Sequence, residues 1–123
     1  ISSILLCLCS AVLNESPLLN EPGVLLNNPD YQTYMDIITY KNYDVAICDM
    51  IERSDIMNDF PEMHDVMQEH FLENYQSILG RIERDATADK NVTTKIYGMK
   101  TKICYSHTKS RITKIYDSLI KLN

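Results

Sequence analysis

The sequence predicts a mainly α-helical fold in a single domain. Its 123 residues include 45% hydrophobic side chains, and a chain of this size buries roughly 65% of its unfolded surface in one core. Apolar residues recur three and four positions apart along most of the chain, which is typical of helices with one buried face. No segment alternates strongly between apolar and polar side chains, so we expect any sheet to lie outside this sequence.

The first thirteen residues are apolar apart from three serines. This composition predicts a helix buried on most sides, with a stripe at helical spacing formed by Ile1, Ile4, Leu5, Leu8, Ala11 and Val12. The alternative is the remnant of a secretory signal, with Ile4 to Cys9 as its apolar region. The helix is favoured because no basic region precedes the segment and a mature secreted protein would not retain it.

Residues 14–29 are predicted to form a loop. Pro17, Pro22, Gly23 and Pro29 interrupt this stretch. Each proline removes a backbone donor, and the glycine permits a turn that a helix would not contain.

A second helix is predicted from Tyr31 to Arg53, with Asp30 as its N-terminal cap. Near-helical spacing predicts an inward face formed by Tyr34, Ile37, Ile38, Val45, Cys48 and Ile51.

A third helix is predicted to begin with a capping box formed by Asp59 and Glu62, with Pro61 in its first turn. Its predicted inward residues are Met63, Val66, Met67, His70, Phe71, Ile78 and Ile82. The acidic side chains of Glu62, Asp65, Glu69 and Glu73 are predicted to form a solvated stripe.

The remaining residues are predicted to be less regular until the last helix. Residues 85–94 are polar and are expected to form a mobile linker, and residues 95–105 alternate weakly, which indicates a short strand or an irregular segment. A helix is predicted over residues 108–122, with Ile112, Ile115, Tyr116 and Leu119 on one face.

The charges are unevenly distributed. Residues 1–80 hold 2 basic and 13 acidic side chains for a net charge of −11, whereas residues 81–123 hold 10 basic and 4 acidic side chains for +6. A basic tail of this kind docks within the chain, or contacts nucleic acid or an acidic partner. Because its lysines are scattered without an arginine-rich motif, an ordinary solvated face is favoured over nucleic-acid binding. No apolar run reaches the roughly 18 residues that a membrane span requires.

The cysteines are predicted to be structural. Cys7 and Cys9 lie two positions apart on a helix, point to different sides and cannot hold one metal ion together. We expect them, like Cys48, to be buried thiols. Cys104 stands alone in the basic tail, and a nucleophile would need a nearby base.

No metal or cofactor is predicted. His64 and His70 are six positions apart and do not share a helix face, so we expect both to be satisfied within the fold or at its surface. The chain has three glycines and no glycine-rich phosphate loop.

Four segments in order carry a resemblance to a known family. They are the Ile1-Ser-Ser-Ile-Leu-Leu helix, Asn20-Glu-Pro-Gly23, Val45-Ala-Ile-Cys-Asp-Met50 and Met67-Gln-Glu-His-Phe-Leu-Glu-Asn-Tyr75. Their order resembles the C-terminal half of ubiquitin-conjugating enzymes and is most similar to the large Z type. The resemblance covers residues 1–80 well and is weaker over the tail, where the Z type also has an extension ending in a helix.

The resemblance implies an α+β fold in which a four-stranded antiparallel sheet is flanked by helices. The part present would be mainly α-helical: the crossover helix, two C-terminal helices and an extension. Residues 1–84 would form the C-terminal helical half of the conjugating domain, and residues 85–123 a basic extension with a terminal helix. The family's catalytic cysteine lies near a His-Pro-Asn motif that this sequence lacks. We therefore expect the thioester cysteine upstream of Ile1 and predict that this chain alone is inactive.

The resemblance also implies accessory site residues. Asn20 and Glu21 correspond to the loop that borders the active cysteine, where a polar or acidic residue positions an incoming lysine as a neutral amine. The alternative is that both residues simply terminate the turns around the following Pro-Gly pair. Ser3, Ser10 and Asn14 would contact the donor modifier in the closed conformation of the family.

The resemblance implies that the whole protein transfers ubiquitin or a ubiquitin-like modifier, received from an activating enzyme, to lysine with the help of a ligase. It would act in the cytoplasm, with the nucleus as a second compartment, and would need no cofactor, nucleic acid or membrane. Two alternatives remain open. One is a non-catalytic interaction module, and the other is a secreted helical factor with oxidised cysteines and a glycan on Asn14 or Asn91.

Overall fold

The fold is mainly helical and contains one small antiparallel sheet. The computed structural model describes residues 1–122 apart from the side chains of Val12 and Leu122, so the predicted inward position of Val12 lies outside the described residues. The elements in chain order are α1 (Ser2–Cys7) continued by a π-helix (Leu8–Val12), a 3₁₀ turn (Pro17–Asn20), α2 (Tyr31–Tyr43), a π-helix (Asp44–Asp49), α3 (Met50–Glu52), α4 (Ser54–Asp59), α5 (Pro61–Asp85), β1 (Lys90–Thr93), a 3₁₀ turn (Ile96–Gly98), β2 (Lys100–Ile103) and α6 (Tyr105–Leu122).

The second predicted helix corresponds to α2, the Asp44–Asp49 π-helix and α3 in succession. Its inward face is predicted wrongly at Val45, which is 41% exposed, whereas Tyr40 and Tyr43 are buried. The π-helix explains the error, because its wider turns place residues five apart, such as Tyr43 and Cys48, on one side. From residue 44 onward, a spacing of three and four residues therefore no longer identifies the side chains that face the core.

The third predicted helix begins differently in the structure from the prediction. Asp59 ends the short helix α4, and the residue that precedes α5 is Phe60, which makes no side-chain capping bond. The capping box of Asp59 and Glu62 is therefore wrong, because its first residue already belongs to another helix. Pro61 does occupy the first turn of α5, as predicted.

The buried face of α5 is marked by His64, Phe71, Tyr75 and Ile82. The prediction is confirmed for Phe71 and Ile82 and is wrong for Met63, Val66 and His70, which are exposed. The helix is turned so that its core side faces α3 and α6. The ring of His64 lies in the core with Nε2 at 2.7 Å from the carbonyl oxygen of Ile51, so this histidine is satisfied there.

Strands β1 and β2 form an antiparallel hairpin in which Lys90 pairs with Ile103 and Thr93 pairs with Lys100. The hairpin corrects two expectations: residues 85–94 are not simply a linker, and a sheet does lie within this sequence. β2 falls where a short strand or irregular segment is predicted. Lysine and threonine occupy most of the hairpin positions, so the apolar alternation that marks a strand is weak.

One core joins both parts of the chain. Its buried members are Tyr40, Tyr43, Cys48, Ile51, Phe71, Tyr75, Ile82, Ile103, Tyr105, Ile112, Ile115 and Leu119. Tyr105 packs edge-on against Tyr40 with ring centroids 5.4 Å apart. The helix predicted over residues 108–122 begins at Tyr105 and buries its predicted apolar face. The basic extension therefore supplies part of the core on which α2 and α5 also pack.

Ion pairs dock the basic tail on the acidic part of the chain. Arg111 of α6 contacts Asp44 at 3.2 Å, Asp49 at 2.6 Å and the Glu52 carboxylate. Lys90 pairs with Asp36 at 2.6 Å. The structure thus contains the first alternative for the basic tail, which is docking within the chain.

The N-terminal helix, α1 with the Leu8–Val12 π-helix, is exposed. The expectation of burial is wrong for its described residues, since Ile1, Ile4 and Leu6 are 95%, 65% and 70% exposed. The thiols of Cys7 and Cys9 are exposed as well, against the prediction of buried thiols, whereas Cys48 is buried as predicted. No other described element packs over this helix closely enough to bury a side chain. Among the described helices, none is both long enough and apolar enough to cross a membrane.

Replacing Arg111 by alanine should lower the free energy of unfolding by about 2 kcal/mol, because three carboxylates lose their shared, half-buried cation. Urea denaturation followed by circular dichroism measures the change. Lys109→Ala is the matched control, since its ion pair with Glu83 is exposed and should be worth less than about 0.5 kcal/mol. Equal losses in the two variants would contradict the role of Arg111.

Stability should fall as the pH rises above about 9. Burial raises the pKa of Tyr105 to about 12 and that of Cys48 to about 12, and burial with the Asp85 hydrogen bond raises the pKa of Tyr43. The folded state keeps these groups protonated while the unfolded chain releases its protons, so their contribution is present below the unfolded pKa and lost towards pH 12. Urea denaturation between pH 7 and pH 12 measures the profile, and a flat profile would contradict it.

Candidate functional site

The loop that carries Asn20 and Glu21 is held by one buried residue and one tight turn. Leu18, in the Pro17–Asn20 turn, is fully buried and anchors the loop. Val24 donates its amide to the Glu21 carbonyl at 3.2 Å, and Gly23 between them has φ +78°. A turn with Pro at its second position and a positive φ at its third is of type II, which requires glycine there. The Glu-Pro-Gly sequence thus presents Glu21 at a fixed corner.

Asn14 ties the end of the N-terminal helix to this loop. Its side-chain amide donates to the Ala11 carbonyl at 3.0 Å and approaches the side-chain oxygen of Asn20 at 3.4 Å. Its own side-chain oxygen accepts the amide of Ser16 at 2.8 Å. The structure therefore brings together Asn14, predicted as a modifier contact, and Asn20, predicted as an accessory residue.

Ser3 and Ser10 lie apart from this cluster on the exposed N-terminal helix. The hydroxyl of Ser10 donates to the Leu6 carbonyl at 2.7 Å, within its own helix. Both serines are solvent-exposed, so both are accessible, but the described contacts do not connect them to Asn20 or Glu21.

Asp30 fixes the hairpin against the loop. Its Oδ2 accepts the backbone amides of Lys95 at 2.7 Å and Ile96 at 2.9 Å. Asp30 is the N-terminal cap residue of α2, as predicted, but its carboxylate makes no hydrogen bond to that helix and bonds the hairpin instead. A carboxylate that bonds residues 65 and 66 positions away leaves no local pattern in the sequence.

Tyr97, at the tip of the hairpin, is the site residue that sequence reasoning missed. Its backbone has φ +60°, a conformation uncommon for a residue other than glycine. Its ring centroid lies 6.5 Å from that of Tyr34. The Glu21 carboxylate interacts with the Tyr97 hydroxyl and raises the pKa of Tyr97, because a nearby acceptor and negative charge favour the protonated phenol.

The arrangement offers an exposed carboxylate and an exposed amide side by side, with a tyrosine at their edge. Such a group accepts hydrogen bonds from an amine and holds it in position. Among its described residues, this group contains no thiol that could act as a nucleophile. Cys48 lies in the core, and burial raises its pKa to about 12, which leaves it as an inert thiol at neutral pH. Among the described residues, no cluster of His, Cys, Asp and Glu is suited to hold a metal ion.

In comparisons with known proteins, no protein-family model, no curated protein and no solved structure matches this chain.

The Asp30→Asn substitution should free the hairpin tip. The backbone amides of Lys95 and Ile96 then lose their charged acceptor, and we expect them to exchange with solvent about 10-fold faster or more. Amide hydrogen exchange followed by NMR measures these two positions. Asp59→Asn, which changes an exposed carboxylate without a partner among the described residues, is the control. Unchanged exchange at both amides would contradict the assignment of Asp30.

Proposed function

We propose that this chain is the C-terminal part of the transfer domain of a ubiquitin-conjugating enzyme of the Z type. The whole protein passes ubiquitin or a ubiquitin-like modifier from a cysteine thioester to lysine, in the cytoplasm or the nucleus. Its partners are the modifier, an activating enzyme and a ligase. In the family's chain order the thioester cysteine precedes the segment that begins at Ile1.

The observation that carries this proposal is the agreement of motif and geometry at Asn20–Gly23. The amide of Asn20 and the carboxylate of Glu21 are exposed on a turn that Pro22 and Gly23 hold in shape. In the family this turn borders the active cysteine. Two exposed hydrogen-bond acceptors at that place suit the approach of a lysine amine.

The exposed N-terminal helix also supports the proposal. In the family, the helix at this place in the chain order crosses over the sheet and is covered by it. Here its apolar side chains Ile4, Leu5 and Leu6 are 65%, 56% and 70% exposed. Helices that are apolar all round are buried in their complete domains, so this surface suits a helix whose partner is the family's sheet.

In the proposed transfer step, Glu21 and Asn20 have different roles. The neutral lysine amine attacks the thioester carbonyl, the carbon–sulfur bond breaks to release the cysteine as a thiolate, and the proton that the amine loses passes through solvent to that thiolate as the amide forms. Glu21 accepts a hydrogen bond from that amine and stabilises its developing positive charge. Asn20 orients the amine as it approaches the thioester. The Tyr97 hydroxyl interacts with the Glu21 carboxylate at the edge of the site.

The chain by itself should form no thioester, because its buried thiol of Cys48 is inert and the described hydrogen bonds of the Asn14–Asn20 cluster involve no cysteine. The test incubates it with activating enzyme, ATP and either ubiquitin or a ubiquitin-like modifier, followed by electrophoresis with and without reductant. We expect no reducible adduct. An adduct on any of the four cysteines that reductant removes would contradict the proposal.

In the protein translated from the complete transcript, Glu21→Gln and Asn20→Ala should slow discharge of the thioester to free lysine by about 10-fold or more. Formation of the thioester should stay unchanged, because neither residue is proposed to act before lysine arrives. Single-turnover discharge assays measure both steps. Glu15→Gln, an exposed carboxylate in the same loop, is the matched control. Discharge at the rate of the unsubstituted protein in both site variants would overturn the assigned roles.

A further inference from the structure

An apolar groove lies between α5 and the segment formed by the Asp44–Asp49 π-helix and α3. Its volume is about 390 Å³, and its apolar walls are Ala46, Ile47 and Ile51 on one side and Met67, Phe71 and Ile78 on the other. The polar side chains of His70, Asn74, Ser77 and Arg81 complete the α5 wall. The groove is far in sequence from Asn20 and Glu21 and takes no part in the proposed transfer step.

The apolar surface continues from the groove towards the start of α5. Phe60, Met63 and Val66 are 61%, 57% and 64% exposed, and Met57 at the end of α4 is 49% exposed. Met63 lies one helical turn before Met67 of the groove wall, so the two share a face of α5. The groove and this extension form one apolar strip along α5 from residue 60 to residue 78. Methionine side chains adapt their shape to a partner more readily than branched ones.

One flank of the strip is acidic. Glu62, Glu69 and Glu73 follow each other at helical spacing, and all three are exposed. At about 100° per residue they lie a quarter turn from the groove wall, on the side away from the core. Within the described part of the chain none of the three takes part in an ion pair. Between Arg53 and Arg81 the sequence has six acidic residues and no lysine or arginine.

We propose that this strip, bounded by Glu62, Glu69 and Glu73, is a docking surface for a basic amphipathic helix of another protein. A helix laid along α5 from Met63 to Arg81 would run about 27 Å, or five turns. Its apolar face would fill the groove beside Met67 and Ile78, and its lysines or arginines would face the acidic flank. This proposal does not rest on the proposed transfer function.

The charges select this occupant over others. An anionic membrane or a nucleic acid would be repelled by the acidic flank. A second copy of the chain offers no free helix of this kind among its described residues. The N-terminal helix holds no lysine or arginine, and the basic helix α6 already buries Ile112, Ile115 and Leu119 in its own core.

The test measures the affinity of a synthetic 18-residue peptide for the full chain by fluorescence anisotropy. The peptide is an amphipathic helix with leucines at positions i, i+3, i+4 and i+7 and lysines on its flanks, and a matched peptide carries glutamate in place of every lysine. We expect the lysine peptide to bind at micromolar concentration and the glutamate peptide to bind at least 50-fold more weakly. Equal affinity of the two peptides would overturn the proposal, and so would failure of the lysine peptide to bind below 1 mM.

Two double variants distinguish binding at the acidic flank from attraction to the net charge of the chain. Glu69→Lys with Glu73→Lys should weaken binding of the lysine peptide at least 10-fold. Glu15→Lys with Asp117→Lys changes the net charge equally at exposed positions elsewhere and should change affinity less than twofold. Equal weakening by both pairs would show attraction to net charge alone and overturn the proposal.

Two further variants test the contribution of the apolar part of the surface to peptide binding. Met63→Ser with Val66→Ser alters exposed side chains, so the fold should persist, as circular dichroism can establish. Ala46 is exposed at the groove wall, and Ala46→Trp should block the groove. Both variants should weaken binding at least 5-fold, and undiminished affinity in both would overturn the proposed docking mode.

Discussion

The ion-pair cluster around Arg111 holds the two differently charged parts of this chain together. Asp44, Asp49 and Glu52 lie within three helical turns, and their carboxylates would repel one another without a shared cation. The guanidinium contacts all three and also donates to the Asp44 carbonyl at 3.2 Å. It thereby fastens α6 to the π-helix, whose wide turns point Cys48 into the core. A lysine could not reach as many acceptors, because its ammonium lacks the planar fork.

The packing of the basic tail has a consequence at the candidate site. Lys90 pairs with Asp36, and Asp30 accepts the amides of Lys95 and Ile96, so the hairpin lies along the start of α2. The tip of the hairpin then brings Tyr97 to the Glu21 carboxylate, across 76 positions of sequence. Residues of the extension and residues of the Asn-Glu-Pro-Gly turn form one surface as a result. The strain of a positive φ at Tyr97, about 1–3 kcal/mol, is sustained by these contacts.

Helical periodicity predicted most of the helices, and proline with glycine predicted the loop and the turn at Glu21. Periodicity failed where local geometry departs from an α-helix, as at Val45, and where lysine and threonine weaken a strand's alternation, as in β1. The partners of Asp30 and Tyr97 could not be predicted, because each residue contacts a partner more than 60 positions away. Burial of the N-terminal helix was also wrong, since composition reports how apolar a helix is but not which neighbour covers it.

The transcript upstream of the Ile1 codon tests the central claim, that this chain belongs to a ubiquitin-conjugating domain, most directly. Reading that sequence should reveal an open frame that continues into a strand-rich segment, with a His-Pro-Asn motif and a cysteine shortly before Ile1. Such a segment would supply the sheet that covers the exposed N-terminal helix. It would also supply the cysteine whose thioester is discharged next to Asn20 and Glu21. A start codon close upstream, preceded by an in-frame stop, would contradict the claim.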